Sequence, residues 1–223
     1  MIEPIKQLVR ELENERDPDA AAAMSSYMRD QFPFLGVRTP LRKQILKAFL
    51  AANPPDKKWI PLLWEMPERE FQYCGLDIAL SLRKKLVPAD LPMIETCIVS
   101  RSWWDTVDLL ASNAAGFLLH KYPQLQADYG EKWLRSGNMW LNRTAILFQL
   151  HYKEATDEAL LYSYIREHAS SGEFFIQKAI GWALREYSKT NPASVVAFIE
   201  HEELKPLSRR EGMKWLNRPG KIQ

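Results

Sequence analysis

The chain has 223 residues, of which 46% are hydrophobic and 26% charged, with 30 Lys+Arg against 28 Asp+Glu for a net charge of +2. That length fits one domain or one short repeat array, and the composition excludes a disordered, collagen-like or mucin-like chain. The near-balance of charge neither demands nor forbids a polyanionic partner, so its distribution has to decide.

The N-terminal segment MIEPIKQLVRELENE carries charges where the apolar stretch of a secretory signal would lie. No apolar run approaches the ~18 residues that a membrane span needs, so a cytoplasmic chain with no membrane partner is expected. Apolar residues recur at spacings of three and four along nearly the whole sequence, as in Leu76, Ala79, Leu80 and again Ile146, Leu147, Leu150, without sustained alternation. The fold class is therefore all-α, in a single domain over residues 1–223. Prolines in Asp17-Pro18, Thr39-Pro40, Met66-Pro67, Val87-Pro88, Tyr122-Pro123, Asn191-Pro192 and Lys205-Pro206 sit where a first helical turn accepts one. The helices should be short, roughly a dozen, most of them about 10–18 residues, joined by brief connections that suit antiparallel helix pairs. Basic residues cluster first at Arg38, Arg42, Lys43 and Lys47 with no acid among them. They cluster again over residues 205–218, where Lys205, Arg209, Arg210, Lys214 and Arg218 face one acid, Glu211. A basic functional face and ordinary solvated helix faces both fit this pattern. Cys74 and Cys97 are too far apart for a CxxC pair, so both should be reduced and buried.

Four helical segments share a register. Equating Tyr73 in EFQYCGLDIAL, Thr106 in WWDTVDLLA, Arg143 in WLNRTAILFQL and Lys178 in FFIQKAIGWAL gives intervals of 33, 37 and 35 residues. Such a period belongs to HEAT-type solenoids of antiparallel helix pairs, whose curvature leaves a concave face; a plain helical bundle is the alternative. In that register Asp108 falls where the other helices carry Gly75, Ala145 and Ile180. A carboxylate has thus entered a packing column, where an unpaired charge would cost stability. Trp104, four residues earlier, shares its helical face.

No G-x-G-x-x-G or G-x-x-x-x-G-K-[ST] string occurs, and His120, His151, His168 and His201 form no ligand pattern. Neither a metal nor a cofactor is expected. What remains is an acid and aromatic set of Trp103, Trp104, Asp108, Arg143, Trp182 and Arg185. On a solenoid these positions can converge on a groove, or the tryptophans can be core.

Three strings resemble the AlkD family of DNA alkylation-repair glycosylases: Ser102-Trp-Trp-Asp-Thr-Val-Asp108, Leu141-Asn-Arg-Thr-Ala-Ile-Leu-Phe-Gln-Leu150 and Phe174-Phe-Ile-Gln-Lys-Ala-Ile-Gly-Trp-Ala-Leu-Arg-Glu-Tyr187. The similarity extends through Phe34-Leu-Gly-Val-Arg-Thr-Pro40 and Pro67-Glu-Arg-Glu-Phe71 to Pro206-Leu-Ser-Arg-Arg-Glu211. The resemblance implies a right-handed HEAT-like superhelix with a concave DNA-binding face, which removes N3- and N7-alkylated purines from duplex DNA. By matching motif, Asp108, Trp104 and Trp182 would face the deoxyribose of the lesion, and Arg143 would hold a nearby backbone phosphate. Tyr27 would lie against DNA near the lesion. If the basic residues Arg38, Arg42, Lys43 and Arg185 line the same concave face as Arg143, they and Thr39 are the expected DNA-binding surface. His151 departs from the family pattern, in which a lysine can follow FQL. A monomeric, monofunctional hydrolase is expected, with no amine nucleophile beside Asp108. A non-catalytic DNA-structure binder and a protein-interaction scaffold are the alternatives.

Overall fold

The computed structural model describes residues 3–218, and all regular structure among them is helical. The stretch expected to be one domain divides by its contacts into two compact units, Met1–Lys85 and Leu86–Gln223.

The first unit holds α1 (Glu3–Asn14), α2 (Pro18–Tyr27), α3 (Thr39–Ala52), α4 (Trp59–Trp64) and α5 (Arg69–Leu82). Helix α1 buries Ile5, Leu8, Val9 and Leu12, a stripe spaced by three and four. It packs on α3, and α3 packs on α5. Asp17 starts α2 by accepting from the N–H groups of Asp19 and Ala20, both at 3.0 Å. Between α2 and α3 the chain turns at Gly36, whose φ of +92° and 2.0 Å approach of a would-be Cβ to the Asp17 carbonyl exclude any side chain. The N–H groups of Leu35, Gly36 and Val37 donate at 3.0, 2.9 and 3.1 Å to the buried carboxylate of Glu70 on α5. Burial pushes that carboxyl above the usual range, and the three bonds pull it partly back.

The second unit holds α6 (Leu91–Val99), α7 (Trp104–Leu109), α8 (Gly116–Lys121), α9 (Glu131–Leu134), α10 (Met139–Leu147), α11 (Glu158–His168), α12 (Phe174–Tyr187), α13 (Pro192–His201) and α14 (Pro206–Met213). Its main packing skips along the chain: α7 on α10, α10 on α12, α12 on α14. Stacking of alternate helices at the register spacing seen in the sequence is the arrangement of an α-solenoid. Asn138 and Asn191 cap α10 and α13 through their side-chain oxygens. Ile146, Leu147, Ile176, Ile180, Leu184, Val195 and Ile199 supply much of the core between these helices.

Two sequence expectations change in detail. The described α-helices run from 4 to 14 residues, shorter than expected. Pro18, Pro40, Pro88, Pro192 and Pro206 do open helical turns. Pro67 instead lies in the bend ahead of α5, and Pro123 in the turn after α8. A proline fixes φ but cannot by itself supply the packing that propagates a helix.

The helix carrying Asp108 does not end at Leu109. It widens into a π turn over Leu110–Ala115 before continuing as α8. Ser112 Oγ donates to the Asp108 carbonyl at 2.7 Å, which competes with the regular ladder. The buried Ala111, Ala114 and Ala115 in this turn let α6 and α10 approach.

Helices α12 and α14 meet at Gly181, where an added Cβ would lie 2.3 Å from Glu211 Cβ. Gly181→Ala should therefore destabilise the protein by about 2 kcal/mol through overpacking. The shift of the urea midpoint with unchanged slope measures it; a wild-type midpoint would mean that the two helices separate freely.

Candidate functional site

Asp108 sits in the last turn of α7 and is 8% exposed, buried like its register equivalents Ala145 and Ile180. It is not unpaired, as the sequence suggested. Arg143, mid-way along α10 and 4% exposed, grips it with two parallel bonds, Nε to Oδ1 at 2.6 Å and Nη2 to Oδ2 at 2.9 Å. Arg143 Nη1 also donates to the carbonyl of Phe175 in the first turn of α12. One guanidinium thus ties α7, α10 and α12 together. Three of its five N–H donors are committed to protein groups, so the residue expected to hold a phosphate is buried and bonded within the protein. Burial pushes the Asp108 carboxyl above the usual aspartate range, the Arg143 bonds and charge draw it down, and nearby Asp105 adds to the rise.

The pair lies at an open cleft of about 380 Å³, whose lining includes Trp104, Phe175, Lys178, Trp182 and Arg185. Trp104 opens α7 and Trp182 lies in α12, and both line the cleft with Asp108. Trp103 does not share that face. It precedes the helix in extended conformation and packs instead on Trp140 and Phe175, with ring centroids 5.8 and 5.1 Å away. Its Nε1–H is buried without a hydrogen-bond partner, its ring set nearly edge-on to Phe175. Trp140 also meets Phe175, at 5.0 Å, and this aromatic wall stiffens the side of the cleft through which Arg143 reaches.

Arg185 lines the same cleft, 3.4 Å from Glu211. Glu211, on α14, also receives Lys178 at 3.2 Å and Lys214 at 2.6 Å. Burial would push its carboxyl up, but the bonds from Lys214 and Lys178 outweigh that and hold it below the usual range. Phe175, Lys178 and Glu211 were not among the site residues expected from the sequence. Each sat inside a quoted motif, and only the tertiary approach of α12 to α14 brings them to the cleft.

The remaining sequence-predicted residues belong to the first unit. Tyr27 ends α2 and is 74% exposed, and Arg38, Thr39 and Lys43 are exposed at and after the start of α3. Arg42 differs: it is buried, bonded to Asp77 at 2.7 Å, and lies over the Tyr73 ring at 5.2 Å. An i,i+4 spacing from the exposed Arg38 does not keep a side chain outside when α5 offers a carboxylate within reach. Of the basic cluster at residues 205–218, Lys214 joins the Glu211 network, while Arg209, Arg210 and Arg218 are exposed.

His151 is exposed and lines a separate hollow of about 220 Å³ beside Leu150 and Tyr187. Both cysteines are free and buried, and burial pushes their thiols to about 11 at Cys74 and about 12 at Cys97. Neither is a reactive thiol. Among the described residues no group of three or more His, Cys, Asp or Glu is placed to hold a metal ion, and no helix is long and apolar enough to cross a membrane.

A family model for DNA alkylation repair enzymes matches residues 8–216. Among solved structures the chain is similar to a "predicted DNA alkylation repair enzyme" from Enterococcus faecalis, at 34% identity and a TM-score of 0.84, over 91% of this chain and 97% of that one. No curated protein matches the chain.

The buried pair makes a stability prediction. Asp108→Asn strands the Arg143 charge and should cost about 3 kcal/mol. Adding Arg143→Met to that variant should restore part of the loss, so that the double variant is more stable than the sum of the single changes. Denaturant titrations of the four proteins test this, and strictly additive losses would mean the two side chains are energetically independent.

Proposed function

The chain belongs to the DNA alkylation repair enzyme family, and from that premise we propose that it is a monofunctional DNA glycosylase. It hydrolyses the N-glycosidic bond of N3- and N7-alkylated purines, 3-methyladenine and 7-methylguanine, in duplex DNA. The observation that carries this reading is a buried carboxylate, Asp108, fixed by Arg143 at the floor of a cleft whose walls include the indoles of Trp104 and Trp182.

Alkylation at N3 or N7 leaves the purine cationic, so breaking its glycosidic bond expels a neutral base and requires no general acid. The barrier lies in the sugar, which gains oxocarbenium character as the bond breaks. A carboxylate held beside it, with water partly excluded, stabilises that charge without reorganising at the moment of reaction. Arg143 contributes by keeping Asp108 ionised in a buried place and by fixing its orientation. The same carboxylate can orient and deprotonate the attacking water. Indole faces attract a cation by roughly 0.5–2 kcal/mol each, and in this reading Trp104 and Trp182, which line the cleft, add that to the stabilisation while holding the sugar.

Lys178 brings an amine to the cleft wall, which the sequence reading did not expect. Its Nζ is engaged by Glu211 at 3.2 Å. An ion-paired ammonium has no lone pair with which to attack the sugar, so water remains the nucleophile.

Incubation with methylated duplex DNA should release 7-methylguanine and 3-methyladenine and leave abasic sites, with no covalent protein–DNA adduct after borohydride treatment. Intact glycosidic bonds would remove the reading, and a borohydride-trapped adduct would replace hydrolysis by amine attack. Because Asp108 acts ionised and its carboxyl lies above the usual aspartate range, activity should fall as pH drops through that raised value. The acid limb of the pH–rate profile should therefore stand above the ordinary aspartate position and vanish in Asp108→Asn.

A further inference from the structure

Glu211 is an acid in a place that would receive a polyanion. Beside a phosphate-bearing strand a carboxylate repels, so its presence at the cleft calls for a physical reason. The geometry supplies one. Lys178, Gly181 and Arg185 follow at i, i+3 and i+7 on α12 and therefore share one face of that helix. Gly181 has no side chain, and Glu211 of α14 fills the notch, its Cβ 2.3 Å from where a Gly181 Cβ would be. From there its carboxylate reaches Lys178 at 3.2 Å on one side and Arg185 at 3.4 Å on the other, and Lys214, just past the end of α14, at 2.6 Å.

Exposure separates the acid from the cations. The Glu211 side chain is 6% exposed, whereas Lys178, Arg185 and Lys214 are 36%, 31% and 50% exposed. One carboxylate cannot use all the donors of two ammonium groups and a guanidinium, which number eleven N–H bonds against about four acceptor sites. Three cations and one anion leave a local excess of two positive charges on the open side. The Cα atoms of Lys178 and Arg185 are separated along α12 by roughly 10 Å, and their charged ends converge on the one carboxylate.

We infer that Glu211 is a positioning residue which holds Lys178 and Arg185 at the cleft, with Lys214 bonded beside them, as a prearranged site for the phosphodiester backbone of the bound strand. This rests on the reading of the protein as a DNA-acting enzyme. It adds to it a division of labour in which Asp108 meets the sugar and the Glu211 network meets the phosphates. Without Glu211 the three cations repel one another and their long side chains regain rotamer freedom, so the site must be ordered by the ligand at the ligand's expense.

The two physical roles open to Glu211 predict opposite signs. If it were only an acid near DNA, Glu211→Gln would add one positive charge and tighten binding. As a positioning residue, Glu211→Gln should weaken binding of undamaged duplex at low salt by roughly tenfold, the loss of about one charge-assisted hydrogen bond. It should also flatten the fall of log K with log[salt] by about 0.9 for each phosphate that is no longer neutralised. The effect should appear in Kd more than in the excision rate at saturating enzyme. Lys178→Gln and Arg185→Gln, at partly exposed positions, should each lower the salt slope by about 0.9 on their own, which keeps the test available if Glu211→Gln fails to fold. Equal or tighter binding by a folded Glu211→Gln overturns the proposal, as do unchanged slopes in both single-cation variants. Binding is read on undamaged DNA, so a wild-type protein that binds with these slopes but releases no base would contradict the glycosylase reading and uphold the role of Glu211.

Discussion

A carboxylate taken out of water costs several kcal/mol unless a partner of opposite charge and good geometry goes with it. Asp108 stands in a column that the parallel helices fill with small or apolar residues, and its burial is possible only because Arg143 reaches it from α10 with both arms of its fork. That ion pair fixes much else. Because the third donor of Arg143 ends on the backbone of Phe175, the start of α12 is tied to the same point, and the aromatic wall of Trp103, Trp140 and Phe175 packs around it. The π turn that follows α7 is continuous with this arrangement: Ser112 takes the Asp108 carbonyl, and the small residues after it admit α10 close enough for the fork to form.

The cleft uses two buried acids in different electrostatic states. Asp108 with Arg143 is a neutral pair, the group that the proposed reaction would set against positive charge on the sugar. Glu211 with Lys178, Arg185 and Lys214 is a cationic cluster, suited to charge that is permanently negative. The separation is made by one helix, since α12 contributes Phe175 to the first group and Lys178 and Arg185 to the second. The tight seating of α14 on α12 at Gly181 is therefore a condition of the site as well as of the fold.

Much of this is legible in the amino-acid sequence. The three-and-four spacing predicts the helices, the intervals of 37 and 35 residues predict how α7, α10 and α12 stack, and the misfit of Asp108 in its register marks a residue that lines the cleft. What is not legible needs a third dimension. Arg143 lies 35 residues from Asp108 in sequence, and nothing local shows that its side chain turns inward to a carboxylate rather than outward to solvent. The same ambiguity hides Arg42, which joins Asp77 of α5 in the interior although its neighbours Arg38 and Lys43 are exposed. Trp103 and Trp104 are adjacent, yet the helix begins between them, so one packs into the wall and the other faces the cleft. Glu211 looks like the odd acid in a basic cluster because two of the three cations it organises are on another helix.

The central claim is that the charge of Asp108, held in place by Arg143, lowers the barrier to glycosidic cleavage. Single-turnover excision of 7-methylguanine from duplex DNA, with enzyme in saturating excess, measures that barrier directly for wild type and for Asp108→Asn at a temperature where circular dichroism shows both folded. Loss of the fixed charge should slow excision by about 10²–10³-fold while duplex affinity changes little. An Asp108→Asn protein that excises at the wild-type rate would contradict it and return Asp108 to a purely structural part of the packing column.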